Sequence, residues 1–195
     1  MKILFALFSY LMGSFPTGYI LYFLSEKKDI RKYGSQSTGA TNILRLKGWR
    51  FAIPVILVDI LKGSLPVFLA LKFFPDERFA LFCGFLAVLG HCFPIFIKLK
   101  GGKGVATAVG VYLVLALNPL LIGIGVFILI VALTRYVSLA SILAVMSIPF
   151  SIYFILGNQE TAIMGIAIFI LIVIRHGGNF QRILKGTERK LGEKE

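Results

Sequence analysis

Long apolar runs separated by short polar segments make up most of this chain. Of its 195 residues, 57% are hydrophobic and only 15% are charged, which leaves too little polar surface for a water-soluble globule of this size. A helix that spans the hydrocarbon core of a bilayer needs about 20 apolar residues, and its backbone must satisfy its own hydrogen bonds there. Strand-like alternation of polar and apolar residues is missing. The sequence therefore predicts an all-α integral membrane protein.

Seven apolar segments are candidate transmembrane helices, and we expect them to form a single membrane-embedded domain over residues 1–195. They cover residues 3–24, 51–74, 79–97, 105–117, 120–133, 137–156 and 161–174. The fourth and fifth are short and are separated at Asn118-Pro119, where proline favours the start of a new helix. A five-span alternative, in which residues 105–133 re-enter the membrane, has the same sidedness and stays open. No A-x-A-like cleavage site follows the first run, which we expect to be a retained helix.

The basic residues are distributed unevenly among the polar breaks. Most of the 21 lysines and arginines lie in residues 25–50, 98–104, 134–136 and 175–195. Seven spans place these four segments on one side of the membrane, and basic loops favour the cytoplasm. We therefore expect the N-terminus outside, and the C-terminus and the glycine-rich polar segments at the cytoplasmic face. Because the basic residues flank apolar runs and form no solvated arm, the net charge of +12 indicates no nucleic-acid partner.

The first polar cluster, residues 29–45, combines glycines with hydroxyl and amide side chains. It contains Ser35, Thr41, Asn42 and Arg45. Glycine permits close backbone approach, hydroxyls and amides supply hydrogen bonds, and arginine forms bidentate contacts with phosphate. This pattern is typical of a nest for an anion. An ordinary cytoplasmic loop rich in turn residues explains the same composition equally well.

The second polar cluster, residues 98–107, puts three glycines and three lysines next to two apolar segments. It is not a Walker A loop, because Ile97 stands six positions before Lys103 and Gly104 follows where serine or threonine is required. A glycine turn that opens a helix favours an anion through its N–H groups and its positive dipole end. We therefore expect Lys103 and the backbone at Gly102 and Gly104 to contact an anion, whereas membrane sidedness explains the other two lysines.

The third polar cluster, residues 175–190, follows the last apolar segment. His176 and Asn179 have the chemistry to bind or orient a polar substrate. The structural alternative is a helix C-terminus, where basic residues complement the helix dipole. Ser138 and Ser141 lie one turn apart at the cytoplasmic end of the sixth span.

Two ionisable residues lie inside the second apolar segment. Asp59 and Lys62 are three positions apart and thus share one face of a helix. Intramembrane ionisable groups are functional candidates, but mutual pairing is an equally good explanation here. Elsewhere, two histidines on separate segments do not suggest a metal site, and no G-x-S-x-G motif occurs. We expect neither a metal nor another cofactor.

Together these clusters resemble the bacterial acyl-phosphate-dependent glycerol-3-phosphate acyltransferases, the PlsY family. The resemblance covers nearly the whole chain, and the order of its motifs is highly specific. The motifs are Gly13-Ser14-x-Pro16-Thr17-Gly18-Tyr19, Asp29 to Arg31 with Gly34-Ser35, Gly39-Ala40-Thr41-Asn42 with Arg45, Asp59-x-x-Lys62-Gly63, Gly90-His91-x-Phe93-Pro94, Gly101-Gly102-Lys103-Gly104-Val105-Ala106-Thr107 and Arg175-His176-x-x-Asn179-x-x-Arg182. Gln36-Ser37 stands where the family more usually has Gly-Asn.

The resemblance implies an inner-membrane enzyme with its active site at the cytoplasmic face, and we expect a monomer. Such an enzyme transfers a fatty acyl group from acyl phosphate to the sn-1 hydroxyl of glycerol 3-phosphate. The products are phosphate and lysophosphatidic acid, a membrane lipid of phospholipid biosynthesis. Neither acyl-CoA nor acyl carrier protein is used directly. Two alternatives are a transporter or channel for a phosphorylated solute, which predicts polar groups spread through the membrane, and a lipid phosphatase.

The resemblance also implies which residues serve two phosphate-bearing substrates. We expect catalytic roles for Ser35, Lys103 and His176. The residues expected to bind substrate phosphate are Arg45, Thr41, Asn42, Ser141, Asn179, Gly102 and Gly104. For the general base, His176, His91, Asp59 and a substrate phosphate oxygen all stay open. The preferred hypothesis is substrate assistance, with Lys103 and Arg45 stabilising charge.

Overall fold

The computed structural model describes residues 1–193, and within that range it contains helices and turns but no β-strand. Ten α-helices follow one another in this part of the chain. They are α1 (Lys2–Ser14), α2 (Thr17–Glu26), α3 (Ala40–Lys47), α4 (Trp49–Phe73), α5 (Glu77–Cys92), α6 (Val105–Leu115), α7 (Leu117–Thr134), α8 (Val137–Ser151), α9 (Gln159–Arg175) and α10 (Gly177–Leu184). Short 3₁₀ turns cover Ile30–Lys32 and Ile95–Ile97, and a π turn covers Ile152–Leu156.

Each of the seven predicted apolar segments is helical. Five stretches are long and apolar enough to cross a membrane, namely Lys2–Glu26, Trp49–Phe73, Glu77–Ile97, Leu117–Thr134 and Val137–Leu156. A sixth results if α9 and α10, which are bent by 58°, form one span, and α6 is a shorter apolar helix. How many helices cross, and on which side the termini lie, stay predictions.

The break between the fourth and fifth apolar segments lies two residues earlier than predicted. The chain turns at Ala116, with φ −154° and ψ 63°, and α7 begins at Leu117. Pro119 therefore lies inside the first turn of α7 and does not separate the helices. The first N–H groups of a helix have no partner within it, so a proline there removes no hydrogen bond.

The first apolar segment is interrupted at Phe15-Pro16, between α1 and α2. A residue before proline avoids the helical region, and Phe15 accordingly adopts φ −60° and ψ 114°. Its carbonyl oxygen therefore leaves the helical ladder and accepts hydrogen bonds from the N–H of Thr17 and the ammonium of Lys62. Pro16 thus leaves the carbonyl oxygen of Phe15 free of the helix, where it accepts a hydrogen bond from Lys62 of α4.

The described part of the chain divides into two compact units, residues 1–111 and residues 112–193. In the first unit, glycines allow helices to approach backbone to backbone. A Cβ atom at Gly13 of α1 would collide with the carbonyl oxygen of Ala87 in α5, and one at Gly63 of α4 would collide with that of Thr107 in α6. Close packing of this kind stabilises helix pairs in membranes, where burial of apolar surface supplies little driving force. It also fixes α5 and α6, the helices on either side of the second polar cluster.

In the second unit, α8 packs against both α7 and α9. Gly123 of α7 faces the side chain of Ile148, and Gly165 of α9 lies against Pro149. Pro149 also lies inside α8, and the π turn Ile152–Leu156 begins three residues later. At its other end, α9 stops at Arg175 and the chain bends at His176 into α10.

Candidate active site

The second polar cluster forms a loop that folds back on the end of α5. The N–H of Gly101 donates to the carbonyl oxygen of Cys92 at 3.3 Å, and the N–H of Gly102 donates to that of His91 at 3.1 Å. Lys98 and Leu99 take left-handed conformations, with φ 58° and 60°, to make the return. These bonds fix the loop immediately before Lys103, whose side chain is half-exposed.

The same loop ends where α6 begins. Gly104 has φ 87°, a conformation that favours glycine, and its carbonyl oxygen accepts the N–H of Ala108 at 2.8 Å. The first N–H groups of α6 consequently follow Lys103 directly, and a helix start attracts anions. Because the Gly102 amide donates to His91, the anion-binding backbone groups are better assigned to the start of α6 than to Gly102.

The first polar cluster is organised by the side chain of Asn42, which is buried. Its Nδ2 donates to the carbonyl oxygens of Tyr33, at 3.2 Å, and Ser37, at 2.8 Å. Its Oδ1 accepts the N–H of Ser35 at 2.8 Å. This geometry gives Asn42 a supporting part, since both amide hydrogens are used to hold the loop that carries Ser35.

Two predicted phosphate ligands lie on the short helix α3. Thr41 and Arg45 are four residues apart and therefore share one face, and both are half-exposed, as is Ser35 in the preceding loop. Gly39 caps the N-terminus of this helix through its carbonyl oxygen, which accepts the N–H of Asn42 at 3.0 Å. The arrangement leaves Arg45 close to the C-terminal end of α3, where a cation complements the helix dipole.

Arg31 of the first polar cluster bonds to the residue just before the second polar cluster, within the first unit. Arg31 contacts the Asp29 carboxylate at 2.7 Å through Nη2, and its Nη1 donates to the carbonyl oxygen of Ile97 at 2.8 Å. The hydrogen bonds from Arg31 hold the pKa of the Asp29 carboxyl below its ordinary value. The turn Ile30–Lys32 is thereby fixed to the segment that precedes the Gly101 to Gly104 loop.

The third polar cluster, in the second unit, converges on a buried carboxylate that the sequence did not single out. Oε1 of Glu188 accepts from Ser138 Oγ and from Asn179 Nδ2, each at 2.7 Å, and Oε2 accepts from Arg182 Nε at 2.8 Å. Burial acts to raise the pKa of this carboxyl, but the hydrogen bonds from Asn179, Ser138 and Arg182 outweigh it, so the pKa lies below its ordinary value. The available signal was a single acidic residue among the basic residues of positions 175–190.

His176 and Ser141 lie near this centre in the chain but are held separately. Nδ1 of His176 lies 2.8 Å from the carbonyl oxygen of Ile172, and the ring is buried. In a neutral ring this contact assigns the proton to Nδ1 and the basic lone pair to Nε2. Ser141 donates to the carbonyl oxygen of Val137 at 2.8 Å, one turn back, so Ser138 and not Ser141 reaches Glu188.

Comparison with known proteins gives the family. A family model described as glycerol-3-phosphate acyltransferase matches residues 3–186. The chain belongs to the glycerol-3-phosphate acyltransferase family. It is 42% identical to the glycerol-3-phosphate acyltransferase of Endomicrobium trichonymphae, over 97% of this chain and 96% of that one. It is 41% identical to that of Syntrophotalea carbinolica, over 93% of both.

Solved structures of an acyltransferase agree with this result. The crystal structure of PlsY, an integral membrane glycerol 3-phosphate acyltransferase, in its glycerol 3-phosphate form matches with a TM-score of 0.93 and 38% identity, over 98% of this chain and 96% of that one. Its lysophosphatidic acid form matches with a TM-score of 0.90 and 37% identity, over 98% and 95%. The predictions of an all-α integral membrane protein and of a PlsY-family acyltransferase are confirmed.

The predicted site residues fall into two sets in this acyltransferase. Within the first unit, Asn42 brings the Ser35 backbone into place, and the Gly101 to Gly104 loop carries Lys103. Within the second unit, the hydrogen-bond partners of Glu188 include Asn179. His176 and Ser141 are not among them. Among residues 1–193, no three His, Cys, Asp or Glu side chains are grouped in a way that would hold a metal ion. The individual roles of the site residues stay predictions.

Proposed function

We propose that this acyltransferase uses acyl phosphate as donor and forms 1-acyl-sn-glycerol 3-phosphate and inorganic phosphate at the cytoplasmic face of the inner membrane. The observation that carries the proposal is the match along 98% of the chain to an acyltransferase in glycerol 3-phosphate and lysophosphatidic acid forms. The fold supports it, because the polar loops that carry cations border apolar helices able to accommodate an acyl tail. We also propose that residues 1–195 act as one membrane-embedded domain and as a monomer.

Arg45 and Lys103 hold the substrate phosphates in this proposal. Both are half-exposed, and both are carried by loops or helix ends that internal hydrogen bonds fix. Charge-assisted bonds from preorganised cations stabilise negative charge that develops on a leaving phosphate. Ser35, positioned through its backbone by Asn42, and Thr41, on the same face of α3 as Arg45, add neutral donors. The start of α6 after Gly104 adds backbone N–H groups.

Asn179 and His176 stay proposed substrate contacts, and each is oriented by a partner within the second unit. Glu188 takes one hydrogen of the Asn179 amide, which fixes the orientation of that side chain. The contact of His176 Nδ1 with Ile172 presents Nε2 as the basic or donating nitrogen. The hydroxyl hydrogen of Ser141 is used within α8, so its oxygen is proposed to contact substrate only as an acceptor, from a substrate hydroxyl group.

The chemical step is attack of the sn-1 hydroxyl oxygen on the acyl carbonyl carbon. The new ester bond forms, the bond from the carbonyl carbon to the bridging oxygen breaks, and phosphate leaves with the electron pair. The hydroxyl proton goes to a phosphate oxygen, whose second pKa of about 6 suits this role. Asp59 is a poor candidate for the base, because its carboxylate is paired with Lys62 at 2.9 Å and is buried.

Donor choice tests this proposal directly. Purified enzyme in detergent receives glycerol 3-phosphate together with palmitoyl phosphate, palmitoyl-CoA or palmitoyl acyl carrier protein, and lysophosphatidic acid is quantified. Of the three donors, we expect only palmitoyl phosphate to give lysophosphatidic acid. Product formed from either thioester with no acyl phosphate present would contradict the donor assignment, and phosphate release that does not depend on glycerol 3-phosphate would indicate a phosphatase.

A further inference from the structure

Three ionisable side chains meet at depth in the first unit, and none has a part in the proposed chemistry. Asp59 and Lys62 come from α4, and His91 comes from α5, one residue before that helix ends. Only 2%, 3% and 6% of their respective surfaces are exposed. Burial of unpaired charge is expensive, so a chain that retains this set within apolar helices needs a use for it.

The pair in α4 is held by contacts within the first unit. Lys62 Nζ lies 2.9 Å from Asp59 Oδ1 and also donates to the carbonyl oxygen of Phe15 at 2.9 Å. That carbonyl is available because Pro16 interrupts the first apolar segment. The ammonium is therefore neutralised and oriented by groups of the first unit, which leaves the carboxylate directed at α5.

His91 connects this pair to the second polar cluster. Its Nδ1 lies 3.8 Å from the same Asp59 oxygen, which is close contact but too long for a hydrogen bond. The opposite edge of the ring faces Gly102, where an added Cβ would collide with Nε2 and come within 2.7 Å of Cε1. The His91 carbonyl oxygen accepts the Gly102 N–H as well. Both the backbone and the ring of His91 thus touch the residue before Lys103.

We infer that Asp59, Lys62 and His91 form a positioning cluster that sets the location of Lys103. The pair fixes the imidazole, the imidazole fixes the Gly102 backbone, and that backbone directs the Lys103 ammonium. The glycine at position 102 is the consequence, since any side chain would displace the ring. This inference rests on the proposed function only in assigning Lys103 to substrate phosphate.

A double-mutant cycle in the purified full-length enzyme tests the inference. We expect His91→Ala to lower kcat/KM by about 10²-fold, the cost of misplacing a binding group by about 1 Å. In a Lys103→Ala background the same change should cost less than about threefold, because residues that act through one another are not additive. His91→Gln, whose planar amide fills much of the space of the ring beside Gly102, should restore most of the loss.

Controls separate positioning from folding. Asp59→Asn with Lys62→Met removes both buried charges together and so avoids an isolated one. It should keep the unfolding midpoint within a few degrees while lowering kcat/KM in the wild-type but not in the Lys103→Ala background. Asp76 forms an exposed ion pair with Lys2 and caps the N-terminus of α5. Asp76→Asn should change neither the unfolding midpoint nor kcat/KM.

The outcomes are decisive in both directions. If the fold losses in kcat/KM of His91→Ala and Lys103→Ala multiply in the double variant, the inference is overturned. A loss in His91→Ala that His91→Gln does not restore would overturn it as well. If the wild-type enzyme makes lysophosphatidic acid, either result leaves the proposed function intact and rejects the cluster alone. A wild-type protein that binds and acylates no glycerol 3-phosphate would reject the proposed function itself.

Discussion

The first and second units hold their polar groups in different ways. In the first, the Gly101 to Gly104 loop and the Ser35 loop are fixed by backbone hydrogen bonds and by close approach of glycine to His91. In the second, a carboxylate, Glu188, gathers side-chain donors from α8 and α10. The difference teaches that the first region should be sensitive to added volume, and the second to loss of charge.

The largest effect is expected from the two cations of the first unit. Lys103→Ala and Arg45→Ala should each lower kcat/KM by about 10²- to 10³-fold, since removal of one preorganised donor to developing charge has that cost. Steady-state kinetics for both substrates measures the change. Lys100→Ala, three residues before Lys103 and exposed, is the matched control and should stay within twofold. Near-wild-type kinetics for either cation variant would remove that residue from the phosphate site.

Added volume at Gly102 should be the next most damaging change. Gly102→Ala would put a methyl group into the His91 ring, and the displaced loop should lower kcat/KM by about 10²-fold. Gly125→Ala in α7 is the control, because nothing lies within 4 Å of its added Cβ. It should leave activity unchanged. Equal effects of the two alanines would break the contrast between the regions.

Loss of charge at Glu188 should act on stability in the second unit. Glu188→Gln weakens three charge-assisted contacts, and we expect a cost of about 2–3 kcal/mol and a fall of about 5–10 °C in unfolding midpoint. Circular dichroism of the purified protein in detergent follows the transition. Glu193→Gln, in the same tail, is the control and should change the unfolding midpoint little. An unchanged midpoint in Glu188→Gln would show that the carboxylate is not the organiser of this region.

The pH dependence of stability sharpens the same point. The pKa of Glu188 is lower in the folded protein than its ordinary value of 4.5. Its contribution is therefore fully present above that value and is lost as pH falls through the folded-state pKa. Wild-type stability should fall more steeply below about pH 4.5 than that of Glu188→Gln. Parallel curves for the two proteins would contradict the assignment.

The smallest effect is expected at the ion pair of the turn Ile30–Lys32. Asp29→Asn leaves Arg31 its contact with the Ile97 carbonyl, and partly exposed ion pairs contribute about 1 kcal/mol or less. Thermal unfolding should shift by no more than a few degrees, and activity by less than threefold. A tenfold loss of activity would mean that this pair, like the glycine loop, sets the geometry of the first unit.

Local pattern was enough to predict the helices and to offer one of the buried contacts as an alternative. Apolar runs predicted seven helical segments, and a spacing of three on one helix made mutual pairing of Asp59 and Lys62 one of two explanations, which the structure shows. The predicted position of the α6–α7 break was wrong by two residues. A proline is accepted at several positions of the first helical turn, so Pro119 did not fix the residue at which α7 begins.

Contacts that depend on tertiary packing lay outside the reach of sequence pattern. His91 joins Asp59 only because α5 packs against α4, and a motif does not encode that register. Asn42 looked like a phosphate ligand, yet its amide is used by the carbonyls of its own loop. Glu188 was not singled out by sequence pattern, because only folding of the tail onto α8 and α10 buries it.

The central claim is that the enzyme transfers the acyl group of acyl phosphate, and the fate of one oxygen atom tests it most directly. Palmitoyl phosphate labelled with ¹⁸O at the bridging oxygen is incubated with glycerol 3-phosphate and the wild-type enzyme, and the products are examined by mass spectrometry. Attack at the acyl carbon breaks the bond to that oxygen, so the label should leave in inorganic phosphate beside unlabelled lysophosphatidic acid. Label recovered in free palmitate, with phosphate moved elsewhere, would mean attack at phosphorus and would contradict acyl transfer.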